Sequence, residues 1–177
     1  MIMQKRKAVV RLFWAWNTEK ETRWISEMAK KGWLLETVGF MVYRFAKRQP
    51  EDLAYDLDFY ILRSAEKAEY FGLYRDAGWE HVTSFGNWHY FRSAAATAAK
   101  RPVFSDTASR KSMLKRVLTV LLASMLPVAY FGIANPLING YYHESKIYPV
   151  IRVVSALLLA IVCFAVIRIA VKMRKIT

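Results

Sequence analysis

Two long apolar runs near the C-terminus constrain this chain more than any other feature of its sequence. Residues 117–134 contain no charged side chain, and residues 150–171 contain a charge-free apolar stretch over 153–167. At a rise of about 1.5 Å per residue, helices of these lengths come close to the ~30 Å hydrocarbon core of a bilayer. We therefore predict two transmembrane helices over these runs, joined by an extracytoplasmic loop over residues 135–149.

Basic residues flank both runs and set the expected orientation. The chain carries 27 Lys and Arg against 14 Asp and Glu, but residues 8–92 hold 12 of each sign. Most of the excess lies at residues 5–7, in a basic linker over 93–116 and in a basic tail over 172–177. The positive-inside rule then predicts a multi-pass protein of the cell inner membrane with both termini cytoplasmic and the lipid bilayer as a partner.

The neutral region over residues 8–92 is predicted to contain six elements in the order strand, helix, strand, strand, helix, strand. Alternating side chains over residues 8–16 predict the first strand. Thr18 with Glu21 suggests a capping box that starts the first helix, and Gly32 supplies a left-handed stop.

The second part of this region continues the pattern. We expect a bent strand over residues 33–45, a strand whose apolar face begins at Tyr55, a helix from about Ser64 to Gly78, and a final strand over residues 79–92. This order predicts an α+β fold, namely a ferredoxin-like βαββαβ cytoplasmic domain followed by a two-helix transmembrane hairpin.

The domain contains an internal repeat. Each predicted helix is followed by a Gly-Trp pair, and a second glycine with a neighbouring phenylalanine comes seven or eight residues later. The repeated pairs are Gly32-Trp33 with Gly78-Trp79, and Gly39-Phe40 with Phe85-Gly86. Two similar halves are what a split ferredoxin-like architecture requires.

Several aromatic and glycine motifs resemble one bacterial family. They are Phe13-Trp14-Ala15-Trp16, Lys31-Gly32-Trp33, Val38-Gly39-Phe40, Gly78-Trp79 and Ser84-Phe85-Gly86-Asn87-Trp88-His89-Tyr90-Phe91. Over about residues 11–92 the chain is similar to a bacterial membrane protein family with a domain of unknown function (DUF2812). The resemblance implies C-terminal membrane spans and a role in an envelope or drug-stress circuit of a Gram-positive bacterium, often beside a regulator of the PadR type. It supplies no catalytic residues.

The sequence favours a non-enzymatic protein without cofactors. Asp56 and Asp58 fit the wet face of a strand better than a cation site or an acid–base pair. His81 and His89 lack the further ligands of a metal site, and Ser84 has no nucleophile-elbow context. We therefore expect no catalytic residue, no cofactor site and no metal site.

Aromatic side chains remain as candidates for a binding surface. The domain has neither net positive charge nor an RNP-type pattern, which argues against nucleic acid as a partner. Trp and Tyr are frequent at protein interfaces and in apolar ligand sites. We expect a protein partner or small apolar ligand, in signalling or an envelope-stress response, bound through Trp14, Trp16, Trp88 and Tyr90. Most of the six tryptophans should nevertheless be core residues.

An accessory role within the membrane is the alternative. Ala123, Ser124, Ala129 and Gly132 are small residues that permit close helix packing, although they form no clear repeating motif. On this interpretation the hairpin packs within a membrane transporter as an accessory subunit. The sequence leaves the oligomeric state open.

Overall fold

The chain forms two compact units in a computed structural model. The residues it describes are 5–100, 107–130, 132 and 148–176. The units are Met1–Met113 and Leu114–Thr177, so the predicted domain over residues 8–92 lies within the first. Most of the predicted loop over residues 135–149 falls outside the described residues.

The first unit is a mixed α/β domain with six strands among the residues described. A single 3-10 turn over Ser64–Glu66 precedes the second helix. The elements are β1 (Arg6–Val10), α1 (Thr18–Lys30), β2 (Trp33–Val38), β3 (Val42–Lys47), β4 (Leu53–Phe59), α2 (Lys67–Asp76), β5 (Glu80–Phe85), β6 (Trp88–Ala94) and α3 (Ala95–Lys100).

The strands form two antiparallel three-stranded sheets with the same internal order. One sheet has the order β1-β3-β2 and the other has the order β4-β6-β5. Each half of the domain therefore runs strand, helix, strand, strand, and its last strand lies in the centre of its sheet. The repeat seen in the sequence corresponds to this repeated topology.

The ferredoxin-like topology is not confirmed, because each of two predicted strands is a hairpin. Residues 33–45 divide into β2 and β3 around a turn at Gly39, and residues 79–92 divide into β5 and β6 around Gly86, whose φ is +57°. A glycine inside a strand pattern indicates either a bulge or a turn, and here both glycines belong to turns.

The first predicted strand is shorter than expected. β1 ends at Val10, and Trp14 and Trp16 lie in the loop before α1. The loop is fixed by two backbone hydrogen bonds, from Arg11 N to Met41 O at 2.8 Å and from Asn17 N to Trp14 O at 2.7 Å. Period-two alternation over residues 8–16 was therefore a wrong indication of a strand beyond Val10, since alternation alone does not supply pairing partners.

The glycine stops of both long helices in the domain are confirmed. Gly32 follows α1 with φ +75°, and Gly78 follows α2 with φ +85°, a region that L side chains rarely adopt. On α2, Tyr70, Phe71 and Tyr74 are half-buried, whereas Ala68 is exposed.

The core of the domain lies around α1, which packs on β2 of its own sheet and on β4 of the other. Ile25 and Ala29 of α1 are fully buried, as is Phe45 of β3, and Leu57 of β4 is 1% exposed. Burial of each large apolar side chain contributes about 1.5–3 kcal/mol. The predicted apolar face of β4 is confirmed at Leu57, but Asp58, expected to be wet, is only 3% exposed.

Two long helices, α4 (Thr107–Ala129) and α5 (Tyr148–Lys175), account for the predicted apolar runs. Ala108–Ala129 and Pro149–Lys175 are long and apolar enough to cross a membrane, and little of either is buried. Of the small residues assigned to packing, Gly132 is buried and a Cβ built on it would collide with Ser155 of α5. A small residue thus packs within this chain's own pair of helices.

Candidate ligand-binding cavity

A cavity of about 240 Å³ opens where the loop after β1 meets the tips of both β-hairpins. Aromatic side chains line much of its accessible part. Phe40 is 77% exposed, Trp14 is 42% exposed, Phe85 is 40% exposed and Trp88 is half-buried. We call this site, lined by these four residues and by Glu21, Tyr43 and Tyr90, the aromatic cavity.

The repeated topology brings the aromatic residues together. Phe40 lies in the β2–β3 turn and Phe85 ends β5 beside the β5–β6 turn, so each half contributes its hairpin tip. Met41, next to Phe40, has φ +59°, a left-handed conformation that costs a non-glycine residue about 1 kcal/mol. The Arg11 to Met41 backbone hydrogen bond joins this tip to the loop that contains Trp14.

A buried carboxylate lies at the inner end of the cavity. Glu21 of α1 is 6% exposed, and its Oε1 accepts hydrogen bonds from the hydroxyls of Tyr43 and Tyr90, each at 2.7 Å. Among the residues described, no basic side chain forms a salt bridge with this carboxylate. The predicted capping box is therefore wrong: Asn17 is the N-cap residue without a side-chain bond, and Glu21 points to the sheets.

Burial controls the protonation of this group. It raises the pKa of Glu21, while the hydrogen bonds from Tyr43 and Tyr90 act in the opposite direction. Burial, followed by the negative charge of Glu21, also raises the pKa of both tyrosines. The two hydroxyls therefore stay protonated and act as donors to the carboxylate.

Arg11 places a positive charge at the edge of the cavity. Its guanidinium lies 5.0 Å from the ring centroid of Phe13 and 4.9 Å from that of Trp24, both within cation–π range. Over the described part of the chain it makes no ion pair with Glu21. The two charges of the cavity are thus separate.

Three of the four predicted binding residues meet at this cavity. Trp14 and Trp88 line it, and Tyr90 lines its buried end through the bond to Glu21. Trp16 does not line it, because its ring is 6% exposed and stacks against Trp14 at a centroid distance of 5.1 Å. Of the six tryptophans, Trp14 alone is exposed, as expected for a largely core role.

Sequence reasoning missed four of the seven residues by which the aromatic cavity is defined, and two of them had left a signal. Phe40 and Phe85 were recognised as members of the internal repeat, and equivalent positions of two halves converge when each half folds in the same way. Glu21 was assigned to a helix cap instead, and nothing in the pattern distinguished Tyr43 from the other strand tyrosines.

A second polar cluster lies on the sheet of β4, β5 and β6. Ser84 Oγ is 2.8 Å from His81 Nε2 and 2.8 Å from His89 Nδ1, and His89 Nε2 is 3.0 Å from the carbonyl oxygen of Tyr60. Because a carbonyl only accepts, His89 Nε2 donates to Tyr60. With the His89 ring neutral, its Nδ1 accepts from the Ser84 hydroxyl, whose oxygen then accepts from His81 Nε2. The three side chains form one directed chain of hydrogen bonds.

Burial lowers the pKa of His81 and of His89, and these directed hydrogen bonds require the His89 ring to be neutral. Nearby, Asp58 Oδ2 accepts hydrogen bonds from the hydroxyls of Tyr70 and Tyr74, each at 3.0 Å. In the described ranges, no group of three or more His, Cys, Asp or Glu side chains is arranged to hold a metal ion.

The architecture defines a class of protein with a mixed α/β domain, an aromatic cavity and two C-terminal helices apolar enough to span a membrane. The model of a family described as a protein of unknown function (DUF2812) matches residues 17–126, from the start of α1 into α4. The chain belongs to this family. No curated protein and no solved structure shows detectable similarity to it.

Proposed function

We propose that this is a non-enzymatic integral membrane protein whose N-terminal domain binds a small apolar ligand, or an apolar side chain of a protein partner, in the aromatic cavity. The observation that carries the proposal is the convergence of Trp14, Phe40, Phe85 and Trp88, from three separate segments, on one cavity of about 240 Å³. Aromatic walls with few polar groups are typical of sites for small apolar molecules.

Exposed apolar side chains in the segment that leads to Trp14 support this role. Val10 is 72% exposed and Leu12 is 51% exposed, close in sequence to Trp14. Exposed apolar side chains grouped in one place, rather than scattered singly, commonly mark interaction sites. Such a surface serves a domain that signals a bound ligand to a partner in an envelope-stress response.

The location proposed for this domain is the cytoplasmic side of the cell inner membrane. Two observations support this location: α4 and α5 are each long and apolar enough to span a membrane, and the basic residues of the linker and tail favour the cytoplasmic side for both termini under the positive-inside rule. A Thr177→Cys variant in a Cys163→Ser background tests the orientation with a membrane-impermeant maleimide. We expect labelling only after permeabilisation, and labelling of intact cells would contradict the proposal.

Binding in the cavity is tested with the full chain in non-ionic detergent and three probes of similar size. These are benzyltrimethylammonium, its uncharged isostere neopentylbenzene, and phenylacetate, each followed by saturation-transfer NMR. We expect saturable binding of at least one probe and its loss in a Phe40→Ala/Phe85→Ala variant. Leu73→Ala is the matched control, because Leu73 is 65% exposed on α2 and does not line the cavity. Failure of all three probes to bind would contradict the proposed function.

A further inference from the structure

We infer that the ligand of the aromatic cavity is a small apolar cation, an amine or quaternary ammonium on an apolar body, paired with the carboxylate of Glu21. The inference rests on the proposed function of the cavity as a binding site and specifies the charge of what enters it.

The carboxylate supplies the first argument. Glu21 is 6% exposed, both tyrosine hydroxyls bind its Oε1, and no basic side chain of the described residues forms a salt bridge with it. Glu21 also lines the cavity directly. A buried carboxylate without a counter-ion is costly, and a ligand cation in the cavity removes that cost.

The aromatic rings supply the second argument. Trp, Tyr and Phe faces attract cations, most strongly where water is excluded, and Trp14, Phe40, Phe85 and Trp88 line the same cavity as the carboxylate. The chain already uses this interaction at the same site, since the Arg11 guanidinium lies over the rings of two aromatic neighbours.

The charges of the lining residues disfavour an anion. Among the described lining residues, Arg11 is the one basic side chain and Glu21 the one acidic side chain. An anion in the cavity would face an uncompensated carboxylate, and a neutral ligand would leave the carboxylate without a counter-ion. A cation satisfies Glu21 without requiring Arg11 to move from its rings.

The volume limits the size of the ligand. At about 240 Å³ the cavity lies just below the ~300–1,000 Å³ of sites that hold drug-sized molecules. A single aromatic ring with a trimethylammonium group suits this space. Benzyltrimethylammonium is therefore the probe, and its permanent charge keeps its solution chemistry constant with pH.

The decisive experiment compares the three probes on the full chain and on its Glu21→Gln variant. Gln keeps a carbonyl oxygen that accepts the hydroxyls of Tyr43 and Tyr90 but removes the charge. We expect the wild-type chain to bind benzyltrimethylammonium at least about tenfold more tightly than neopentylbenzene, and we expect Glu21→Gln to abolish this difference while binding neopentylbenzene as before. Tryptophan fluorescence of the variant confirms that it is folded.

The outcomes separate this inference from the proposed function. Equal affinity of the wild-type chain for the cation and its neutral isostere would overturn the cation inference and leave the cavity as a binding site. Tighter binding of phenylacetate would also overturn it and would indicate Arg11 as the recognition residue. Because the comparison within the wild-type chain needs no substitution, it remains valid even if Glu21→Gln does not fold.

Discussion

Tyr43 and Tyr90 donate their hydroxyl groups to the same carboxylate oxygen, Oε1 of Glu21, each over 2.7 Å. Tyr43 belongs to β3 and Tyr90 to β6, which are the central strands of the two sheets. One side chain of α1 therefore links the two halves of the domain by hydrogen bonds. The same side chain lines the aromatic cavity, so the group proposed to bind a ligand also stabilises the fold.

We expect Tyr43→Phe and Tyr90→Phe each to lower the free energy of unfolding by about 1–2 kcal/mol, because each removes a hydrogen bond to a buried charged group. The double variant should lose more free energy of unfolding than the two single variants together, since Glu21 then loses both tyrosine donors. Urea unfolding followed by tryptophan fluorescence measures this in the domain alone, because all six tryptophans lie within residues 14–88.

Tyr55→Phe is the control for these variants. The Tyr55 hydroxyl is buried near Arg92 and the Leu35 backbone but, among the residues described, no atom satisfies the strict geometry of a hydrogen bond to it. Its removal should leave stability unchanged or slightly higher. If Tyr55→Phe lowers the free energy of unfolding as much as Tyr43→Phe and Tyr90→Phe do, the hydrogen bonds to Glu21 have no specific role in stability.

The hydrogen-bonded histidines His81 and His89 should make the stability of the domain fall at acidic pH. The folded domain holds His81 and His89 at a pKa below the usual 6.5, so the unfolded chain binds more protons as the pH falls below 6.5. Their contribution to stability is therefore present above pH 6.5 and is lost on acidification through the lowered pKa values. His89→Gln should flatten this part of the stability profile, measured by urea unfolding at a series of pH values. An unchanged profile in both His89→Gln and His81→Gln would contradict the assignment.

The contribution of Asp56 to stability should have the opposite pH dependence. Burial raises its pKa from 3.8 to about 6, against the opposing effects of the Leu57 backbone N–H and Arg110. The folded domain then binds more protons than the unfolded chain between about pH 4 and pH 6, so this contribution is present below pH 3.8 and is lost as the pH rises through 6.

An Asp56→Asn variant isolates this effect. The Asn side-chain oxygen still accepts from Leu57 N, but it carries no charge, so we expect the variant to be more stable than the wild-type chain at pH 7 by about 1–2 kcal/mol. The difference should disappear near pH 4. A variant less stable than wild type at pH 7 would show that the Asp56 charge is stabilised by Arg110 rather than penalised by burial.

Gly32 should tolerate substitution poorly. Its φ is +75°, and a Cβ on it would lie 2.6 Å from the carbonyl oxygen of Arg48. We expect Gly32→Ala to destabilise the domain by about 2 kcal/mol or more. Gly72→Ala is the matched control inside α2, where a Cβ meets no atom within 4 Å, and it should stabilise by about 0.5–1 kcal/mol. The midpoints of urea unfolding measure both effects. A Gly32→Ala variant as stable as the wild-type chain would contradict the expected strain.

Local patterns predicted the features that depend on neighbouring residues. The Gly32 and Gly78 stops and the buried face of β4 at Leu57 are confirmed, because a left-handed turn and strand alternation are set within a few residues. The apolar runs likewise predicted α4 and α5, both of which are long and apolar enough to cross a membrane.

Features that depend on distant partners were not predictable in this way. The Thr18 and Glu21 pair matches a capping box, but hydroxyls from β3 and β6 bind the carboxylate instead, and such a contact depends on both sheets. Trp16 looked equivalent to Trp14, yet the loop after β1 buries one ring beneath the other.

The sequence by itself determined the division into a neutral domain and two apolar helices, the repeated halves and the helix ends, because composition and local sterics act without tertiary contacts. Only the tertiary structure decided that Gly39 and Gly86 turn the chain into hairpins, which sheet each strand joins, and which aromatic residues surround Glu21. Pairing and burial join residues far apart in the chain, and a carboxylate acquires its raised pKa only when the folded domain removes it from water.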